Sequence, residues 1–235
     1  MASILLLLRA GALLAWLALA PALAAQTRKL NAPLPRLPGQ VREQWVTRDG
    51  TTCVFLANPE HQAPSLFSVS LTRHEKPVAL TAPVRGDISP SGVRISPDGA
   101  RVVFTSNGDL VPGENTDHNR EIFVFDKGVL SQLTHSTGAV ESVNPHINSF
   151  GRFVVFESTA QLVMPDDDQA TNRRVYLADR KRGTILRLSR SRFGDNFVPR
   201  VSKGRFVVWE STANLTGENP SGDRVIYLFD RRRDD

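Results

Sequence analysis

Three stretches of this chain are worn copies of one another. ISPDGARVVFTSNGDLVPGENTDHNREIFVFD at Ile95–Asp126 recurs as INSFGRFVVFESTAQLVMPDDDQATNRRVYLAD at Ile147–Asp179 and as VSKGRFVVWESTANLTGENPSGDRVIYLFD at Val201–Asp230. A shorter copy opens at Val46 as VTRDGTTCVFLA and resumes at Leu66 as LFSVS. The turn glycines of the four copies, Gly50, Gly99, Gly151 and Gly204, fall 49, 52 and 53 residues apart. A period of that size marks a repeat architecture, in which a unit cannot bury its apolar face alone and must stack on its neighbours.

Each unit reads as four short strands. An apolar piece (Val93 and Ile95; Ile147; Val198 and Val201) leads into a turn, of which Ser96-Pro97-Asp98-Gly99 is the clearest. Proline presets φ there and glycine supplies a positive φ, so the chain reverses. Runs rich in β-branched and aromatic residues follow, at Val102–Phe104, Phe153–Phe156 and Phe206–Trp209. Their composition and length make them strands. A polar loop leads to a third apolar run ending in aspartate, at Ile122–Asp126, Val175–Asp179 and Val225–Asp230. A weaker fourth piece closes the unit at Val78–Thr81, Leu133-Thr134 and Ile185–Leu188. Four strands in about 50 residues is the size of a β-propeller blade. The predicted fold is therefore all-β, a β-propeller of about four four-stranded blades, with units near 41–81, 93–134, 144–189 and 197–230. The nearly continuous apolar middle strands imply cover on both faces by neighbouring blades.

The first 25 residues differ in kind. They hold one charge, Arg9, then the apolar run Gly11–Leu19 and the small-residue site Ala22-Leu23-Ala24-Ala25. That is the pattern of a secretory signal peptide, with cleavage expected after Ala24 or Ala25. The competing reading is an uncleaved anchor, since Ile4–Leu8 lengthens the apolar span. Residues 26–40 carry Pro33, Pro35, Pro38 and Gly39 and read as an extended linker. The last unit stops after its third strand. The missing strand is expected from the N-terminal side, around Lys29–Ala32 or Val41–Trp45. The alternatives are an open stack of blades that closes by self-association, or a shortened relative of a longer propeller.

Composition excludes several classes. The single cysteine, Cys53, rules out an internal disulfide and reads as a buried, inert thiol. Net charge is +5 and is spread along the repeats without a continuous patch, so nucleic acid is not the expected partner of an exported chain. There is no G-x-S-x-G, no H-E-x-x-H, no P-loop and no metal-ligand spacing among the five histidines.

The repeats resemble the TolB-type, WD40-like propeller family of bacterial envelope and secreted proteins. The resemblance rests on Ile95-Ser96-Pro97-Asp98-Gly99, Arg101–Phe104, Glu121–Asp126 and Gln132-Leu133-Thr134. It covers about Val41–Asp230. The third and fourth units keep the pattern but read Asn148-Ser149-Phe150-Gly151 and Ser202-Lys203-Gly204 at the turn. The resemblance implies a periplasmic or secreted propeller that binds proteins through its open face or channel mouth. The resemblance does not extend to the α/β domain that precedes the propeller in TolB.

Two constellations stand out. The residue before the last apolar position of each opening strand is Trp45, Arg94, His146 and Arg200. In a propeller that strand is innermost, so these positions are expected near the central channel, where the cations could receive a carboxylate or phosphate of a ligand or partner segment. The plainer reading is ion pairing between blades, with acids such as Asp98, or simple solvation. The second constellation is the acidic loop Glu114–Glu121, with counterparts at Asp166–Asp168 and Glu218–Asp223. Its alternate oxygens resemble a calcium loop, so a calcium-stabilised structural module is one alternative; turn formation explains the same residues. The expected function is non-enzymatic protein binding by an exported propeller, with no cofactor, no stable membrane span after processing, and self-association open. A small-molecule or glycan-binding or glycan-processing propeller using the channel is the rival.

Overall fold

The computed structural model describes residues 40–58, 62–73, 75–163 and 171–232. Four antiparallel meanders make up this part of the chain. The first sheet holds β1 (Val41–Val46), β2 (Thr52–Ala57), β3 (Ser65–Ser70) and β4 (Val78–Ala79). The second holds β5 (Arg94–Ile95), β6 (Arg101–Ser106), β7 (Glu121–Asp126) and β8 (Val129–Gln132). The third holds β9 (Ser142–Ile147), β10 (Phe153–Ser158), β11 (Arg174–Asp179) and β12 (Thr184–Arg187). The fourth holds β13 (Asn196–Val201), β14 (Phe206–Ser211) and β15 (Val225–Asp230). This is the predicted succession of blades, the last of them three-stranded. No helix among the described residues is long and apolar enough to cross a membrane.

One side-chain device builds all four opening turns. In the second sheet the Ser96 hydroxyl accepts the Arg101 N–H at 3.0 Å and donates to Asp98 at 2.5 Å, while Gly99 takes φ 70°. In the first sheet Thr47 and Asp49 repeat both bonds, the Thr47 hydroxyl accepting from Thr52 at 3.0 Å and donating to Asp49 at 2.6 Å. Where S-P-D-G is missing, the Asn148 carboxamide oxygen accepts the Phe153 N–H and the Ser202 hydroxyl accepts the Phe206 N–H, both at 3.0 Å. The turn needs an acceptor at its first position more than it needs proline.

Packing repeats as faithfully. Each sheet stacks one aromatic pair across its two middle strands: Phe55–Phe67 at 5.6 Å, Phe104–Phe123 at 5.7 Å, Phe156–Tyr176 at 5.8 Å and Trp209–Tyr227 at 6.0 Å between ring centres. Alternate residues then meet the neighbouring sheet. Val54, Leu56 and Leu66 pack on Val102, Phe104 and Phe123 between the first and second sheets. Val103, Ile122 and Val124 pack on Val154, Phe156 and Tyr176 between the second and third. Phe153, Val155, Val175 and Leu177 pack on Val207 and Trp209 between the third and fourth. Burial of this kind, at about 25 cal/mol per Å² of apolar surface, holds a disulfide-free repeat together. Cys53 is buried in the first sheet, and burial pushes its thiol up, as an inert thiol requires.

Three expectations need correction. Val41–Trp45 does not complete the last sheet; it lies in β1 and pairs with β2, Trp45 opposite Val54. Lys29–Ala32, the other candidate, lies outside the described residues, as do the expected signal peptide and residues 26–39 of the linker. The closing strand of the second unit is Val129–Gln132 and not Leu133-Thr134. Lys127 and Gly128 both take positive φ, 50° and 89°, so the hairpin turns in two residues and the strand restarts at once. Thr134 instead caps β7, its hydroxyl accepting the Ile122 N–H at 2.9 Å. Finally, cover on both faces holds for the second and third sheets but fails for the fourth, where Ile226 and Leu228 are exposed.

Candidate functional site

The register places the predicted site residues in one series. Trp45 pairs with Val54, Arg94 with Val103, His146 with Val155 and Arg200 with Val208, each on the opening strand of its sheet. The opening strands β5, β9 and β13 lie side by side, which brings Arg94, His146 and Arg200 together, and the charges of the arginines act on the imidazole and on each other. Trp45 is not part of this charged group; it packs against the core between the first and second sheets, beside residues such as Val54 and Val93.

The two arginines are held by backbone carbonyls and not by acids. Arg94 Nη1 donates to the carbonyls of Ser91 and Val93 at 3.0 and 2.6 Å, and Arg200 Nη1 donates to that of Pro199 at 2.9 Å. Asp98, the acid named as an example for the pairing alternative, is engaged with Arg101 at 2.9 Å and with Ser96. Among the described residues no carboxylate forms an ion pair with Arg94 or Arg200. Burial and then the charge of Arg200 lower the pKa of Arg94. His146 is pushed down to about 4, first by burial and then by Arg200 and Arg94. It is therefore neutral at pH 7, and its Nδ1 accepts the Val201 N–H at 3.3 Å. That bond fixes the proton on Nε2, leaving a donor beside two guanidiniums. The chemistry on offer is reception of an anion.

Backbone irregularity aims these side chains. Asn144 and Val198 both take the left-handed conformation, φ 53° and 52°, directly before Pro145 and Pro199. Each lies in a β-bulge of an opening strand, two residues before His146 or Arg200. Such a bulge re-aims the residues that follow. A β-branched valine at positive φ is strained and persists only where its surroundings dictate it. The surroundings here are Glu157, 1% exposed, whose Oε1 accepts from Val198 N–H at 2.5 Å and from the Asn144 carboxamide at 3.0 Å. Arg173 bridges Glu157 and Glu141. Burial raises the pKa of Glu157, against the pull of these donors. In the second sheet Thr105 stands at the Glu157 position, small enough for the turn Pro90–Gly92 to pass. A Cβ on Gly92 would lie 2.8 Å from the Thr105 hydroxyl. Glu157, Asn144, Val198 and Arg173 were not evident from the repeat pattern. Their one signal in the sequence is the shared spacing Asn144-Pro145-His146 and Val198-Pro199-Arg200.

The acidic loop has the geometry of turn chemistry. Asp117 accepts the Gly138 N–H at 2.8 Å, and buried Glu121 accepts the Ser136 N–H at 2.7 Å. Asn115 ties the loop by donating to the Asn119 carbonyl at 3.1 Å, and Asn219 does the same to Asp223 at 2.8 Å. Among the described residues no cluster of three or more His, Cys, Asp or Glu could hold a metal. Asp166–Asp168 lie outside the described residues. A recess of about 260 Å³ lined by Arg101, Asp126, Lys127 and Arg180 is internally paired, Asp126 receiving Arg101 at 3.2 Å and Arg180 at 3.0 Å.

No family model matches the chain, and no curated protein does. Solved structures do. A TolB from Agrobacterium tumefaciens, described as putative, is 18% identical, with 81% of this chain on 62% of that one and a TM-score of 0.54. An oligogalacturonate lyase from Vibrio parahaemolyticus is 13% identical, with 83% on 52% and 0.56. The tricorn protease is 15% identical, with 83% on 22% and 0.55. The chain thus spans less than two thirds of each of these proteins. Similarity at this level concerns the fold, and the fold it identifies in this chain is the TolB-like β-propeller.

Proposed function

We propose that this chain is an exported, non-enzymatic propeller of the bacterial periplasm or extracellular space that binds a protein partner at the mouth formed by Arg94, His146 and Arg200. The observation that carries the reading is the convergence of two guanidiniums and a neutral imidazole from three successive sheets, without a carboxylate pair among the described residues. Such a site favours an acidic segment or a chain terminus, which supplies the missing charge and accepts a hydrogen bond from Nε2–H. The strands are consumed by packing, so recognition falls to the loops and strand ends around it. Export rests on the Met1–Ala25 pattern.

The test is a pull-down from a native envelope extract with the chain from Ala25 onward as bait and Arg94→Ala/Arg200→Ala as control. A protein retained by the first and lost by the second, with both baits equally folded, supports the proposal. Equal recovery by both baits overturns the assigned site.

A second reading takes the same three residues as the seat of a carboxylate-bearing oligosaccharide, favoured by the similarity to an oligogalacturonate lyase. It predicts a rise in ultraviolet absorbance when the chain is incubated with oligogalacturonate, abolished by His146→Gln. A flat trace removes it and leaves the protein-binding reading in place.

A further inference from the structure

Four apolar positions of the third sheet recur in the fourth. Phe206, Val208, Ile226 and Leu228 occupy the register positions that Phe153, Val155, Val175 and Leu177 hold one sheet earlier. The flanking ion pairs repeat as well, Arg205–Asp230 matching Arg152–Asp179 and Arg224–Glu210 matching Arg173–Glu157. Even the guanidinium over the ring recurs, Arg205 on Phe206 as Arg152 on Phe153. The difference is cover. In the third sheet these four apolar side chains are at most 5% exposed. In the fourth Phe206 and Val208 are 37% exposed, Leu228 62% and Ile226 75%. A contiguous apolar face rimmed by ion pairs marks an interaction surface.

Of the other half of the joint, β1 is bare. What crosses the third sheet is β13, the opening strand of the next one, just as β9 crosses the second. Val201 in β13 and Ile147 in β9 are 6% and 3% exposed, whereas Val46, their counterpart in β1, is 52% exposed. Val41 is 40% exposed, while Ser142 and Asn196 at the same register are buried. Behind β1, Cys53, Phe55, Phe67 and Val69 are already buried, so β1 is the part of the first sheet left free to enter a joint.

We infer that β1 of a second copy seats on the Phe206/Val208/Ile226/Leu228 face of the fourth sheet, head to tail, as β13 seats on the third sheet within one chain. The contact unites two different surfaces, so it either closes a ring or propagates.

The experiment is the solution mass of the full chain, by sedimentation velocity, against Ile226→Asp/Leu228→Asp and Val46→Asp, with thermal melts confirming that the variants fold. The wild type should show at least twice the monomer mass, each variant the monomer mass, and an equimolar mixture of the two variants a two-copy species, because one retains β1 and the other retains the face. Should the double variant fail to fold, Ile226→Lys alone replaces it. A wild type that stays monomeric overturns the inference. So does a Val46→Asp variant that still associates, which would point to pairing of two fourth sheets, and so does a mixture that remains monomeric.

Discussion

Val198 donates its backbone N–H to the Glu157 carboxylate across the joint between the third and fourth sheets, at 2.5 Å. One oxygen of a 1%-exposed carboxylate thereby fixes two bulges, its own sheet's at Asn144 and the next sheet's at Val198. Through them it sets the aim of His146 and Arg200.

Removing that carboxylate should be costly. Glu157→Ala leaves the Val198 N–H, the Asn144 amide and one arm of Arg173 without their acceptor, and a buried donor left unpaired costs about 1–3 kcal/mol. We expect a loss of about 3 kcal/mol, and for a domain of this size a melting temperature lower by roughly 6–12 °C. Glu157→Gln, which keeps an acceptor oxygen, should recover part of it. A melt within about 2 °C of wild type for the alanine variant would show that the carboxylate does not hold the joint.

The strain at Val198 has its own consequence. A non-glycine residue held at positive φ costs on the order of 1–3 kcal/mol, least for asparagine. Asn144 already occupies the equivalent place in the third sheet with φ 53°. Val198→Asn should therefore raise the melting temperature by roughly 2–4 °C, about 1 kcal/mol. A lower melting temperature would mean that the half-buried valine contributes more by packing than its backbone loses.

The turn glycines separate conformational strain from crowding. Gly50 and Gly151 hold the same place in their units, at φ 69° and 68°. A Cβ on Gly50 meets nothing within 4 Å, while one on Gly151 lies 1.9 Å from Arg101 Cδ. Gly50→Ala should cost only the left-handed penalty, about 1 kcal/mol. Gly151→Ala adds displacement of Arg101, which bridges Asp98 and Asp126, and should cost about 2–3 kcal/mol. Equal denaturation midpoints for the two variants would refute the difference.

These contrasts mark what was legible in the sequence. The blades were, because turn glycines, β-branched runs and terminal aspartates act locally and recur with the repeat. Trp45, Arg94, His146 and Arg200 were placed in one register by the same logic, which does not say that Trp45 turns to the core. The end of the second unit is not legible, because Leu133-Thr134 recurs with the repeat like a strand, whereas Lys127-Gly128 reverses the chain earlier. Glu157 was invisible: a glutamate at the end of a strand looks solvated until β13 is laid across it. Likewise Phe206 and Phe153 are indistinguishable in sequence, and only the presence of a next sheet separates an exposed ring from a buried one.

Acid should act on the site through His146. Its pKa is about 4 in the folded chain against 6.5 for the free side chain, with burial the larger cause and Arg200 next. Between pH 6.5 and 4 the unfolded chain takes up a proton that the folded chain refuses, so stability falls as pH falls through that window and levels off below it. For a partly buried group the loss amounts to about 2–3 kcal/mol. Glu157 works in the opposite sense, since its raised pKa lets the folded chain accept a proton before the unfolded one. His146→Gln isolates the first effect: the stability it loses on acidification should be smaller than the wild type's by that amount. Arg200→Ala removes the larger of the two charge effects but not the burial, so the imidazole titration followed by NMR should move up while staying below 6.5. An unchanged titration would mean that His146 and Arg200 do not share one electrostatic site, and the anion-receiving mouth would lose its basis.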